Sequence, residues 1–176
     1  MKEVILVDKN DKKVGKKDAL SAHFGDGLLH RAFTIFIFNK KGEILLQKRS
    51  KEKFLWPQYW ECSCSSHPEP GENLLTSAKK RLKEELGISC NVKKVGKFYY
   101  FANYKKRGSE KEICWLLVGN YQGKISPNKK EVAKIRWISP QELKKEIEKS
   151  PQKFAPWLKI AFGFLEKLHS CYRFNS

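Results

Sequence analysis

Apolar residues in this chain gather into short strand-like runs on either side of one helical stripe. The first strand covers Glu3 to Asp8; an Asn10-Asp11 turn and a short return strand near Lys13 to Gly15 follow. Ala32 to Phe38 and Glu43 to Lys48 read as two strands around Asn39-Lys40-Lys41-Gly42, because their aromatic and β-branched content suits a pleated surface. From Leu74 to Leu86 the period changes. Leu75, Ala78, Leu82 and Leu86 share one helical face, and Gly87 supplies the stop. Strands are expected again near Val92 to Val95, Lys97 to Tyr104, Glu112 to Tyr121 and Val132 to Ile138. Ser139-Pro140 opens a helix to about Lys149 as N-cap and first-turn proline. A last amphipathic helix follows Pro156, with Trp157, Ile160, Ala161, Phe164 and Leu168 as its apolar side. Many strands with one central helix and a helical C-terminus predict an α+β protein, an α/β/α sandwich with mixed or antiparallel sheets. No linker or repeat interrupts residues 1–176, which read as a single domain.

Composition narrows the function classes. No apolar run reaches the length of a membrane span, and Val4 to Val7 is too short for a signal-peptide core, so a cytoplasmic protein is expected. Five cysteines (62, 64, 90, 114 and 171) are odd in number and lack the paired spacing of a disulfide framework or zinc ribbon. Cys90, Cys114 and Cys171 read as small buried residues. The net charge of +17 is mostly lysine dispersed over the whole length. Dispersed lysine is a solvated surface more often than a footprint. It is compatible with a diphosphate ligand without selecting one.

The densest chemistry lies in Trp56 to Pro68, which holds three aromatics, two thiols, two adjacent hydroxyls and a histidine, and reads as an active-site wall. His23 and His30 bracket the glycine-rich Phe24-Gly25-Asp26-Gly27 loop, and His67 ends the wall motif. Glu110 and Glu112 share one face of a strand by period-two alternation. Three imidazoles and two carboxylates make an octahedral shell for manganese, magnesium or zinc. Ser66 to Ile88 resembles the Nudix box, a loop-helix-loop whose glutamates hold divalent metal against a diphosphate. The pattern matches at Glu72, Leu82, Glu84, Glu85, Gly87 and Ile88. It departs at Ser66, Lys80 and Arg81, where the box has glycine, arginine and glutamate. Arg81 replaces a metal-binding carboxylate with a cation, and shares a helix face with Glu85.

Further motifs extend the likeness: H-x6-H-R-A-F at 23–33, Q-K-R at 47–49, K-x2-W-P-x2-W at 53–60, S-H-P at 66–68, R-L-K-E-E-L-G at 81–87, E-x-E at 110–112 and F-A-P-W at 154–157. With these the chain resembles type I isopentenyl-diphosphate Δ-isomerase, a Nudix-fold family interconverting isopentenyl and dimethylallyl diphosphate. The resemblance implies the Nudix fold, with a central Nudix-like helix and a C-terminal helix. It implies one metal on His23, His30, His67, Glu110 and Glu112, and a magnesium ion on the substrate diphosphate held with Glu85. Arg49, Lys53 and Arg81 would meet phosphate oxygens. Trp60 would wall the pocket, whereas Trp56 and Trp137 read as core. Glu112 with Tyr100 would work one face of the alkene, and Trp157 would stabilise a carbocation through its π face.

The family's thiol on the opposite face falls at Ser65. A serine hydroxyl is far less acidic than a thiol. Three arrangements follow: Cys64 or Cys62 re-aimed by a bulge, a relay from Ser65 to another base, or weak or absent isomerase activity. Alternation places Cys64 on the opposite side from Ser65. The expected partner is a small prenyl diphosphate met by a monomer. A Nudix hydrolase acting on a nucleotide or prenyl diphosphate is the alternative. A basic nucleic-acid-binding domain ranks last, because no such motif is present.

Overall fold

The structure, a computed structural model, describes the backbone of residues 2–171 and the side chains of residues 2–168, so the Cys171 side chain lies outside the described residues. In chain order the elements are β1 (Glu3–Val7), β2 (Lys13–Asp18), α1 (Ala19–His23), β3 (His30–Phe38), β4 (Ile44–Arg49), β5 (Trp60–Glu61) and β6 (Cys64–Ser66). Then follow α2 (Leu74–Leu86), β7 (Val92–Tyr104), β8 (Gly108–Asn120), β9 (Val132–Ile138), α3 (Pro140–Lys149) and α4 (Pro156–Cys171), with a 3-10 turn at Pro151–Lys153 before α4.

Strand β3 is the hub of a mixed sheet. It pairs antiparallel with β1, β4 and β6, and parallel with β8 from His30 opposite Glu112 to Phe38 opposite Asn120. β7 extends the sheet beyond β8, and β9 pairs with β4. Buried aromatic and β-branched residues fill β3, as suits a strand packed on both faces. Phe33, Ile35 and Ile37 pack with Leu82 and Leu86 of α2. Ala32 and Phe36, one register step away, pack with Trp157, Leu158 and Ala161 of α4. Alternation thus separates two cores, one on each face of the sheet, and the expected α/β/α layering is found.

Local chemistry sets the helix ends. Asn73 caps α2 by accepting the Leu75 N–H, and Gly87, at φ 69°, closes it by donating to the Leu82 and Lys83 carbonyls. Ser139 and Glu142 form a reciprocal capping box at the start of α3. Within α2 the buried stripe begins at Leu74, and Leu75 is only half-buried. In α4 the stripe runs through Leu158, Phe162 and Leu165, while Ile160, expected on the apolar side, is 40% exposed. Residues 92–104, expected as two strands, form one strand with a register shift between Lys94 and Gly96. The bulge lets the ladder continue past the irregularity that reads as a break in sequence.

One short element absent from the sequence reading matters for function. Helix α1 delivers His23, capped by the Asp18 side chain accepting from Ser21 N–H. Its C-terminal end lies against β8 so closely that a Cβ on Gly108 would overlap the His23 carbonyl oxygen, a backbone atom with no room to yield. The loop after it is fixed by Gly25 and Gly27 at φ 60° and 66°, and by the Ser109 hydroxyl donating to the Gly25 carbonyl at 2.5 Å. Gly108→Ala should therefore cost about 1–3 kcal/mol of stability. It should also displace His23, so thermal unfolding and bound-metal content are expected to fall together; a variant matching the parent in both would disprove the close-approach argument.

Candidate metal centre and diphosphate cavity

Three side chains reach one point by three different routes: His23 from α1, His30 from the first residue of β3, and His67 from the loop after β6. Glu110 and Glu112 come from the same face of β8. One ligand atom from each of the five lies within 4.8 Å of all the others. The His30 and His67 Nε2 atoms are 3.1 Å apart, and both face Glu112, His67 at 2.9 Å and His30 at 3.3 Å. His23 Nε2 lies 2.8 Å from Glu110 Oε2.

The opposite ring nitrogens decide what this cluster wants. His23 Nδ1 sits 2.5 Å from the Ala19 carbonyl oxygen and His30 Nδ1 2.7 Å from that of Leu28. Those carbonyls can only accept, so each Nδ1 carries a proton and, in a neutral ring, each Nε2 is a bare lone pair. The centre is then a set of buried acceptors aimed at one another, with His23 Nε2 and Glu110 Oε2 only 2.8 Å apart. A divalent cation satisfies all of them at once, and N/O donors of this kind suit manganese, magnesium or zinc. Without one, protons must compensate unevenly. Burial pulls His67 down to about 3 against the opposing pull of Glu112. For His23, burial acts downward too, but the bond and charge of Glu110 outweigh it and raise the group to about 9.

Beside this centre lies a cavity of about 260 Å³ lined by Glu112, Tyr100, Ser65, Trp157, Arg49, Lys53 and Arg81 among others. Tyr100 faces Glu112 across the β7–β8 register, and burial together with the Glu112 charge pushes its hydroxyl well above the usual range. Ser65 Oγ is 2.9 Å from Thr34 Oγ1. Trp157 donates its indole N–H to Glu61 at 3.0 Å, and the Arg49 guanidinium lies 5.1 Å from its ring centre. Arg49 also donates to the Leu55 and Trp56 carbonyls and to Glu61, fixing the wall loop, in which Trp56 takes a positive φ of 46°. Arg81 pairs with Glu84, Glu85 and Glu131, and Lys53 pairs with Glu131.

Most of the expected site residues therefore come together. Glu85 is fully buried behind Arg81 and accepts from Gln47 at 3.0 Å. Trp60 is not among the cavity-lining residues: its ring centre lies 4.4 Å from the Arg136 guanidinium instead. Its neighbour in the wall motif, Trp56, packs in the α4-side core. Cys64 points to the α2 side, so no bulge re-aims it. Cys62 is buried behind Ser65 and Thr34, and burial pushes its thiol far up. Cys114 lines the cavity. Sequence reasoning treated it as a plain core residue, although continuing the alternation from Glu110 and Glu112 would have placed it there. Glu61, Thr34 and Glu131 were also missed. Only long-range pairing brings them in, and no spacing signals it.

The NUDIX domain family profile matches residues 28–158. The chain is 38% identical over 171 residues to "Isopentenyl-diphosphate Delta-isomerase 1" of Photorhabdus laumondii, covering 96% of this chain and 97% of the relative. It is 37% identical over 156 residues to the protein of that name from Nocardia farcinica, covering 88% and 89%. This chain belongs to the isopentenyl-diphosphate Delta-isomerase family. Solved structures agree on the fold. A protein from Deinococcus radiodurans superposes with a TM-score of 0.71 at 16% identity, covering 91% of this chain and 97% of its own. A MutT protein from Methanosarcina mazei gives 0.67 at 18%, covering 80% and 95%. Within the isopentenyl-diphosphate Delta-isomerase family frame, the five-residue cluster and the adjoining cavity are the parts of this chain with the chemistry to act.

Two outcomes test the site. His67→Ala and Glu112→Gln should each weaken divalent-metal binding at least about tenfold; full occupancy in both, by elemental analysis, would refute a shared five-residue shell. Glu131 is pushed up by burial, but Lys53 and then Arg81 outweigh this and hold it at about 2. A carboxylate held that low lends stability fully above about pH 4.5 and loses it as the pH falls toward 2. Glu131→Gln should thus be less stable at neutral pH and lose less stability than the parent between pH 4.5 and 2 in denaturant titrations.

Proposed function

We propose that this chain interconverts isopentenyl and dimethylallyl diphosphate by adding a proton on one face of the alkene and removing one from the other. One observation carries the reading. A single small cavity holds a carboxylate–tyrosine pair, a hydroxyl pair, an indole and several cations. Its volume of about 260 Å³ lies at or below the lower limit of common ligand pockets and suits a five-carbon diphosphate better than a nucleotide.

The division of labour follows from the residues. Lys53 and Arg81, with the free donors of Arg49, bind the diphosphate oxygens. Glu112, with Tyr100 against it, holds the proton for the terminal alkene carbon. Protonation there leaves a tertiary cation, which Trp157 stabilises through its π face. The departing proton leaves on the face lined by Ser65. Ser65 Oγ takes it as its own proton passes to Thr34 Oγ1 at 2.9 Å. The Thr34 proton passes in turn to water, because neither neutral hydroxyl can keep an extra proton. A divalent ion bound by His23, His30, His67, Glu110 and Glu112 would fix the Glu112 carboxylate, and magnesium held through Glu85 would neutralise the diphosphate. Manganese, magnesium and zinc all suit the His/Glu shell. Trp60 takes no part in this scheme, because its ring lies on Arg136. We envisage a cytoplasmic, monomeric, single-domain enzyme.

Hydrolysis is less well supported. Arg81 stands where the Nudix box has a glutamate and pairs with Glu84, while Glu72 is engaged by Ser77 and Lys80. This leaves Glu85, once Arg81 turns to the diphosphate, as the one box carboxylate for a magnesium ion. Few carboxylates are left for the several magnesium ions that diphosphate cleavage requires.

The test is a direct assay of metal-loaded protein with isopentenyl diphosphate. Dimethylallyl diphosphate should form, and Ser65→Cys should raise the rate about tenfold or more, within the range that a well-matched proton-transfer group contributes. Release of phosphate without isomerised product would instead favour the hydrolase.

A further inference from the structure

The cavity contains a cation that neither the wall motif nor the box helix supplies: Lys2, placed just ahead of β1. The other cations there are engaged. Arg49 donates to two carbonyls and Glu61, Lys53 to Glu131, and Arg81 to Glu84, Glu85 and Glu131. Among the described residues Lys2 alone of these cations has no hydrogen bond or ion pair from its ammonium group. Arg81, for its part, keeps one buried donor, Nε, without an acceptor. Two cations that line the cavity thus carry uncommitted donors, the Lys2 ammonium and the Arg81 Nε–H.

Position and electrostatics agree. The Lys2 carbonyl accepts the Ala19 N–H at 2.8 Å, while the Ala19 carbonyl faces His23 Nδ1 at 2.5 Å. The same residue therefore tethers the Lys2 backbone and faces the His23 ring, so the origin of the Lys2 side chain is fixed relative to the metal centre. Lys2 is an exposed residue whose partial desolvation lowers its pKa, and the strongest charge acting on it is the repulsion of Arg81, ahead of the attraction of Glu85, Glu131 and Glu84. Two cations that repel across a cavity are stabilised by an anion between them. Lysine serves phosphate as a compact, mobile point charge.

We propose that Lys2 is a substrate-binding residue that closes over the diphosphate opposite Arg81. This rests on the diphosphate reading of the cavity given above. The carbon skeleton takes no part in the contact, so inorganic pyrophosphate is a sufficient probe.

The experiment measures magnesium pyrophosphate binding to the metal-loaded full-length protein by calorimetry, for the parent, Lys2→Ala, Lys2→Arg and the remote surface control Lys40→Ala. Lys2→Ala should weaken binding about tenfold, the size of one charge-assisted contact. Lys2→Arg should retain most of the affinity and Lys40→Ala all of it. The ligand-free melting temperature should not move, because the tether uses only the Lys2 backbone. With isopentenyl diphosphate, KM should rise more than kcat falls. Unchanged pyrophosphate affinity in Lys2→Ala, equal weakening in Lys40→Ala, or no pyrophosphate binding by the parent would overturn the proposal. A parent that binds pyrophosphate through Lys2 yet turns over no isopentenyl diphosphate would sink the isomerase reading and leave the Lys2 assignment standing.

Discussion

Parallel pairing of β3 with β8 puts His30 directly beside Glu112, and the geometry of the metal centre follows from that register. Because side chains alternate, a slip of one residue on either strand would send one of the two to the α2 face and leave the other alone. The same register sets Ala32 beside Cys114 and keeps Glu110, Glu112 and Cys114 on a single wall. Hydrophobic contacts enforce it from both faces: Phe33, Ile35 and Ile37 are locked against α2, and Phe36 and Leu116 against the α4 side. The core thus holds together a group of acceptors that would not gather unaided.

Around that centre, the chain uses buried polar groups as connectors. Glu61 accepts from Arg49, Gln47 and Trp157, and Gln47 donates onward to Glu85. The indole, the wall loop and the box helix are therefore joined through one carboxylate with no exposed surface. Networks of this kind rigidify a site, and losing one member leaves its partners buried and unpaired, as Gln47 Oε1 already is. The net charge of +17 gives little hint of this interior, where Glu110, Glu112 and Glu131 line the same cavity as Lys2, Arg49, Lys53 and Arg81.

What could be read from the sequence was whatever is local or periodic. The alternation of Glu110 and Glu112, the helical stripe from Leu74 to Leu86 and the Ser139-Pro140 helix start all carry their meaning within a few residues. His23, His30 and His67 were recognisable as a set through the resemblance, and the structure brings their nitrogens together. Contacts made at a distance were not legible. Glu131 meets Arg81 across 50 positions and Trp157 meets Glu61 across 96. Trp60 shows the converse error, since its motif suggested a pocket wall while strand pairing turns its ring onto Arg136. Cys114 is buried in the core as expected, but a thiol in an apolar strand gives no sign that it also lines a cavity. The α1 helix escaped notice since five residues are too few to show a period.

The bridge from Glu131 to Lys53 and Arg81 has a consequence for how the cavity cycles between empty and filled. The protein carries its own counter-anion, a tethered rival for whatever enters. On the proposed diphosphate reading, an incoming ligand must win those two cations from a carboxylate already at hand, so part of its attraction is cancelled in advance. On departure the reverse holds, for Glu131 re-forms its pairs as the product leaves and the cations are never stranded. A pocket so arranged trades tightness of grip for ease of turnover.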